Sequence, residues 1–342
     1  MLVFTLRRLN LFIFTMLALT LLSFSLSFLF PGEAVINISG AVNATPSQLV
    51  AIEHAYQTDR NIFWQYIAYL QHIINGDLGI SMASQSNIGT EVLSLLPATI
   101  ELSLVALLIA MFVGIPLGFI AAIKHNKLTD NIILSVSMVG YSIPVFWLGL
   151  LAILVFSINL GWLPSAGQIS LLFEIKLVTG IKFIDILLSD SPYKWQAFSD
   201  ATSHIILPAT VIAVAPATIF IRLARTSMIE VLETSYIRAA RAKGLTFKQI
   251  IFRHAIRNAL ISIIRHVGLQ FANLVTIAMV TEVIFSWPGI GRWLIESIYQ
   301  RDYTAIQSGL LVLSCFIFIV HILTDFIYAA LNPLARGNKY GS

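Results

Sequence analysis

Glu101, Glu282, His321 and Asp325 are ionisable residues set in or at the ends of long apolar runs, where a charge is expensive to keep. His321 and Asp325 lie one helical turn apart. In such surroundings these groups could attract a cation along a path, and Glu101, His321 and Asp325 could relay protons. The competing reading is structural: they cap helices or pair with Arg222, Arg225 or Arg292. Tyr141, Phe146 and Trp147 form an aromatic group that could stack on a substrate or pack against lipid and core. Bond-making chemistry finds no residues to carry it. The sequence has no Walker glycine loop, no paired metal ligands at i, i+4 and no nucleophile elbow. Cys315, the single cysteine, excludes a disulfide framework within the chain and reads as a small buried hydrophobe.

A second chemistry is mechanical. The stretch from Tyr236 to Leu260 is rich in Arg and Lys and contains no acid. Ser235 to Lys243 fits a helix, and Gly244 suits the left-handed residue that ends one. Thr246 with Gln249 makes a capping box for a second helix. On that helix Phe247, Ile250, Ile251 and Ala255 share one face, and Lys248, Arg253 and Arg257 the other. Ala239 and Ala240 are small enough to let this hairpin sink into a groove on a partner. A plain alternative is a basic loop that only fixes topology.

These residues need spans to hold them. Of 342 residues, 57% are hydrophobic and 11% charged, and the mean hydropathy is +0.84. This composition describes a membrane protein, and the net charge of +4 then reflects cytoplasmic loops rather than nucleic acid. Runs of about 20 apolar residues predict six transmembrane helices near 9–30, 97–123, 131–160, 204–223, 261–285 and 306–331. The first reads as a retained span rather than a cleaved signal. Gly114-x-Pro116-x-Gly118 predicts a kink, and Gly140 and Pro144 fall near the middle of the third span. With six spans, 15 of the 21 Lys and Arg residues lie on the side of the termini, which places both termini in the cytoplasm. The polar, acidic stretch 31–95 then lies outside, with an interfacial amphipathic helix around Phe63 to Leu70. The core follows over 96–335, with an outer insert at 161–204 and a cytoplasmic loop at 226–260, and residues 336–342 form a cytoplasmic tail.

Several segments resemble the permeases of the binding-protein-dependent dipeptide and oligopeptide family of ATP-binding-cassette (ABC) importers. They include Gly76-Asp77-Leu78-Gly79-x-Ser81, Leu96 to Leu102, Gly114 to Gly118, Tyr236 to Leu245, Arg253 to Ala259, Thr281 to Arg292 and Asp302-Tyr303, in order along nearly the whole chain. The insert from Trp162 to Trp195 and Ser286-Trp287-Pro288 are most similar to the Sap branch, which the family ties to cationic peptides and polyamines such as putrescine. Two positions depart from the family's coupling motif: its leading Glu is Arg238 here, and its closing Pro is absent near Arg257.

The resemblance implies an all-α polytopic protein of the bacterial inner membrane, with the type I importer (MetI-like) fold. It further implies a non-catalytic subunit that binds no cofactor, pairs with a homologous second permease as a heterodimer, and works with two cytoplasmic ATPases that hold ATP-Mg. A periplasmic substrate-binding protein completes the set. Arg238, Ala239, Ala240, Lys243, Gly244 and Leu245 would couple to the ATPase, and Glu101, Tyr141, Glu282, His321 and Asp325 are candidates for the substrate path. Transport would proceed by alternating access. A proton-coupled secondary transporter, or the same machinery working as a polyamine exporter, is the alternative.

Overall fold

The computed structural model describes residues 2–331. Helix α1 (Leu2–Leu29) is followed by three short helices, α2 (Ala34–Ser39), α3 (Pro46–Ala55) and α4 (Ile62–Ile74), and then by the long α5 (Ile88–Ile123). Next come α6 (Leu128–Ser142) and α7 (Val145–Ala152), the latter continuing as a π-helical stretch, Ile153–Asn159. The short α8 (Lys182–Leu188) precedes α9 (Lys194–Leu232), which has 39 residues. After α10 (Ser235–Ala242) and α11 (Phe247–Ile250), a π-helical stretch, Ile251–Ala255, leads into α12 (Ile256–Ile284). The last helices are α13 (Ile290–Gln300) and α14 (Tyr303–Leu331). Among the described residues the only β pairing is an isolated bridge between Ile80 and Asn87.

Among the described residues five helices are long and apolar enough to cross a membrane, and a bent pair, Leu128–Ser142 with Val145–Asn159, makes up to six if it counts as one span. That pair corrects the expectation of a single third span over 131–160, because its halves meet at 96°. The cause is local. Pro144 has no N–H to continue the ladder of α6, and it holds Ile143 extended at φ −78°, ψ 127°. Helical bonding resumes beyond it, with Leu148 N donating to Pro144 O at 3.0 Å. The fourth span also differs: the helix around 204–223 runs on in both directions, through Pro208 and Pro216, as α9.

The chain divides into two compact units, one formed by residues up to Ala98 with Pro288–Ile319, the other by Thr99–Trp287 with the chain from Val320. In the first, α4 is the helix expected near Phe63, and it packs on α1. The Tyr69 hydroxyl donates to Ser23 Oγ at 2.9 Å, and Phe24 lies against the rings of Tyr66 and Tyr69. Burial pushes the Tyr69 hydroxyl up to about 12, so it remains a neutral donor. Phe63 and Trp64 stay exposed. Buried Asp302 accepts from Ala305 N at 2.9 Å in the first turn of α14, and from Ser81 Oγ and Ala83 N. It thereby joins two of the separated segments on which the family resemblance rests.

In the second unit, α5 stays helical through Pro116, and Gly114 and Gly118 give it a close contact with α9. A Cβ on Gly114 would lie 2.7 Å from Ala217 O, and one on Gly118 would lie 2.4 Å from Ile221 O. These two glycines, four residues apart, let α5 and α9 touch backbone to backbone. Helix α12 also packs against α9.

Candidate functional site

The hairpin around Gly244 is built by short-range rules. Gly244 adopts φ +81°; its N–H donates to Arg241 O at 2.9 Å, and Leu245 N donates to Ala240 O at 3.3 Å. These two bonds are the Schellman ending of a helix, which requires a left-handed residue. Thr246 and Gln249 then form the reciprocal capping box, with Thr246 N donating to Gln249 Oε1 at 2.9 Å. Across the hairpin, Asn258 Nδ2 donates to Tyr236 Oη at 2.6 Å. Ile237, Ile250, Ile251 and Ala255 are buried beneath it.

The outer surface of the hairpin is small and basic. Arg238, Ala239, Lys243 and Gly244 are exposed, and Ala240 and Leu245 are half-buried. Phe247, which shares a face with Ile250, Ile251 and Ala255, is nevertheless 49% exposed, because it stands in the first turn of the second helix, ahead of the part that packs. No break separates that helix from the following span: helical structure runs from Phe247 to Ile284 through the π-helical stretch. The tip is therefore the end of a rod.

The intramembrane candidates divide by environment. Glu101 is buried and accepts from Lys182 N at 3.1 Å and Phe183 N at 2.9 Å, so its carboxylate occupies the first turn of α8, where the unpaired N–H groups of a helix point. Glu282 is fully buried and accepts from Thr99 Oγ1 at 2.5 Å. Tyr141 lines a cavity of about 230 Å³ between α6, α9 and α12, together with Pro216, Gln270, Asn273 and Thr276. The Arg222 guanidinium carbon lies 5.6 Å from the Tyr141 ring centre. Phe146 and Trp147, both about half exposed, border a more open cavity at the elbow between α6 and α7. His321 is half-buried on α14, and the Asp325 side chain lies outside the described residues.

One cluster has no counterpart in the sequence reading. Asp130, 1% exposed, receives Arg225 Nε at 2.7 Å and a second guanidinium nitrogen at 2.8 Å, with Asn126 N at 3.0 Å. His125 Nδ1 lies 2.9 Å from the same guanidinium group. Arg225 is thus engaged with Asp130, not with Glu101 or Glu282. The pair is 95 residues apart in the chain, and only the tertiary packing of α6 on α9 reveals it.

With these positions fixed, the comparison with known proteins is specific. The family described as binding-protein-dependent transport system inner membrane component matches residues 114–337, and the N-terminal domain described for the same kind of component matches residues 1–103. The chain belongs to this family. As an inner membrane component it is similar to a di/tripeptide transport system permease protein, DppB, of Pseudomonas aeruginosa strain UCBPP-PA14. The two are 42% identical over 99% of this chain and 100% of the relative. It is 41% identical, over 99% of each chain, to a putrescine export system permease protein, SapB, of Escherichia coli strain K12. Among solved structures, an inward-facing MetNI methionine ABC transporter superposes with a TM-score of 0.51 at 17% identity, covering 69% of this chain and 93% of that one. That likeness establishes the MetI-like permease fold.

Proposed function

We propose that this chain is the permease subunit of an ATP-driven peptide transporter, and that the hairpin within 226–260 seats in a cytoplasmic ATPase and takes up its stroke. The supporting observation is the hairpin itself: a small-residue, basic tip with Ala239 and Gly244 exposed and Ala240 half-buried, continuous through Phe247 to Ile284 with a helix that packs on α9. Movement of the tip would tilt that helix and shift the walls of the path, which includes Tyr141 and, on this reading, Glu282, His321 and Asp325. Glu101 contributes by holding α8 in place beside the path.

On this proposal the chain performs no catalysis. ATP-Mg is held by two partner ATPases, a homologous permease completes a heterodimer, and a periplasmic binding protein delivers peptide to the acidic outer segments. Both termini are then cytoplasmic. Putrescine export is a second reading, favoured by the likeness to the putrescine export system permease protein of Escherichia coli strain K12 at 41% identity. A proton-coupled relay has less support, because Glu101 already accepts two backbone N–H groups in the first turn of α8. The test uses the complete transporter in vesicles, supplied with ATP or, separately, with a proton gradient. Peptide movement that needs ATP supports the proposal, and movement driven by the gradient alone contradicts it.

A further inference from the structure

The cavity beside Tyr141 carries chemistry that can tell one cargo from another. Three polar residues, Gln270, Asn273 and Thr276, recur at three-residue spacing on α12 and line the cavity, within the apolar stretch His266–Ile284. Asn273 and Thr276 are exposed. An amide facing hydrocarbon would lose its hydrogen bonds at a cost of several kcal/mol, so this face is suited to a polar occupant rather than to lipid. An amide side chain offers one acceptor and two donors, matching the C=O and N–H of a peptide bond.

The charge beside this place is positive. Arg222 stands outside the lining, and its guanidinium carbon lies 5.6 Å over the centre of the Tyr141 ring that lines the cavity, a cation–π distance. Among the described residues no ion pair or hydrogen bond engages its N–H edge, and no acid lines the cavity. A guanidinium edge is the preferred partner of a carboxylate, and its charge repels a diamine. The volume, about 230 Å³, is below the 300–1,000 Å³ of sites that enclose a whole ligand, so the cavity fits one end of a molecule.

We infer that this cavity is a subsite for the carboxyl end of a peptide, with Arg222 binding the terminal carboxylate and Gln270 and Asn273 binding the adjacent amide. The inference rests on the peptide reading above and gives that reading a chemical reason to exclude putrescine.

The experiment compares dialanine, dialanine C-terminal amide and putrescine as cargoes of the complete transporter in vesicles, under ATP. The readout is the ratio of kcat/KM for the free acid to that for the amide. Arg222→Gln is expected to lower this ratio by about ten-fold, the scale of one charge-assisted pair, and Arg222→Lys to recover part of it. Asn273→Asp, which adds a negative charge to the cavity, is expected to lower the ratio independently and to raise putrescine movement. The inference is overturned if peptide is moved but neither Arg222→Gln nor Asn273→Asp changes the ratio. If the wild-type transporter moves no peptide under ATP, the peptide reading itself fails and takes the subsite with it.

Discussion

Asp130 and Arg225 meet edge to edge, and their geometry makes a quantitative demand at the scale of single residues. Removing the carboxylate leaves a guanidinium group, 20% exposed, with its bidentate partner gone. Breaking a buried pair in this way costs roughly 3–5 kcal/mol, and the partial exposure of Arg225 places Asp130→Ala at about 3 kcal/mol. Equilibrium unfolding of the purified protein should show that loss, and Arg225→Lys should also destabilise, since an ammonium group cannot reproduce two parallel bonds. Asp185 in the insert gives a pH dependence. Burial works against its charge, but bonds from the Thr179 hydroxyl, Thr179 N and Gly180 N outweigh that and hold the carboxyl below its usual range. A lowered native pKa means the stabilisation is complete above the unfolded value of about 3.9 and is lost as pH falls through the lower native value. Pepsin should therefore cut the insert increasingly below about pH 4, and Asp185→Asn should flatten that dependence. Residue-level features differed sharply in legibility. The left-handed Gly244 and the Thr246–Gln249 box could be read because their partners lie within five residues. Asp130 with Arg225, and Glu101 with α8, could not, because those partners are supplied by other helices.

At the scale of elements, runs of apolar residues located the helices that are long and apolar enough to cross a membrane, since hydrocarbon thickness is a strong constraint on length. They did not report shape. Pro144 announced a disturbance, but the 96° elbow depends on where α7 finds its packing against α9 and α12. The pair Gly114 and Gly118 shows a related limit: beside Pro116 the glycines predict a kink, and only the packing of α9 reveals them as a flat contact for that helix. Gly118→Val tests this. Its Cβ would overlap Ile221 O, a backbone atom unable to move aside alone, so the substitution should separate α5 from α9 and cost about 1–3 kcal/mol, the range of overpacked cores. A lowered thermal midpoint would register the separation; an unchanged one would mean the helices tolerate a looser crossing.

For the whole molecule, the hairpin is proposed as a mechanical input and α12 as its lever. Gly244 tests this cleanly. A Cβ there meets no atom within 4 Å, so a larger residue is penalised only through its left-handed backbone, by roughly 1–2 kcal/mol. Gly244→Asn, which tolerates that conformation, serves as the control. The most direct measurement is the amount of peptide moved per ATP hydrolysed by the complete transporter in vesicles. Gly244→Val is expected to continue hydrolysing ATP while peptide movement per ATP falls by ten-fold or more, and Gly244→Asn to retain most of the wild-type ratio. A wild-type ratio in Gly244→Val would contradict this role and reduce the hairpin to a signal for membrane topology.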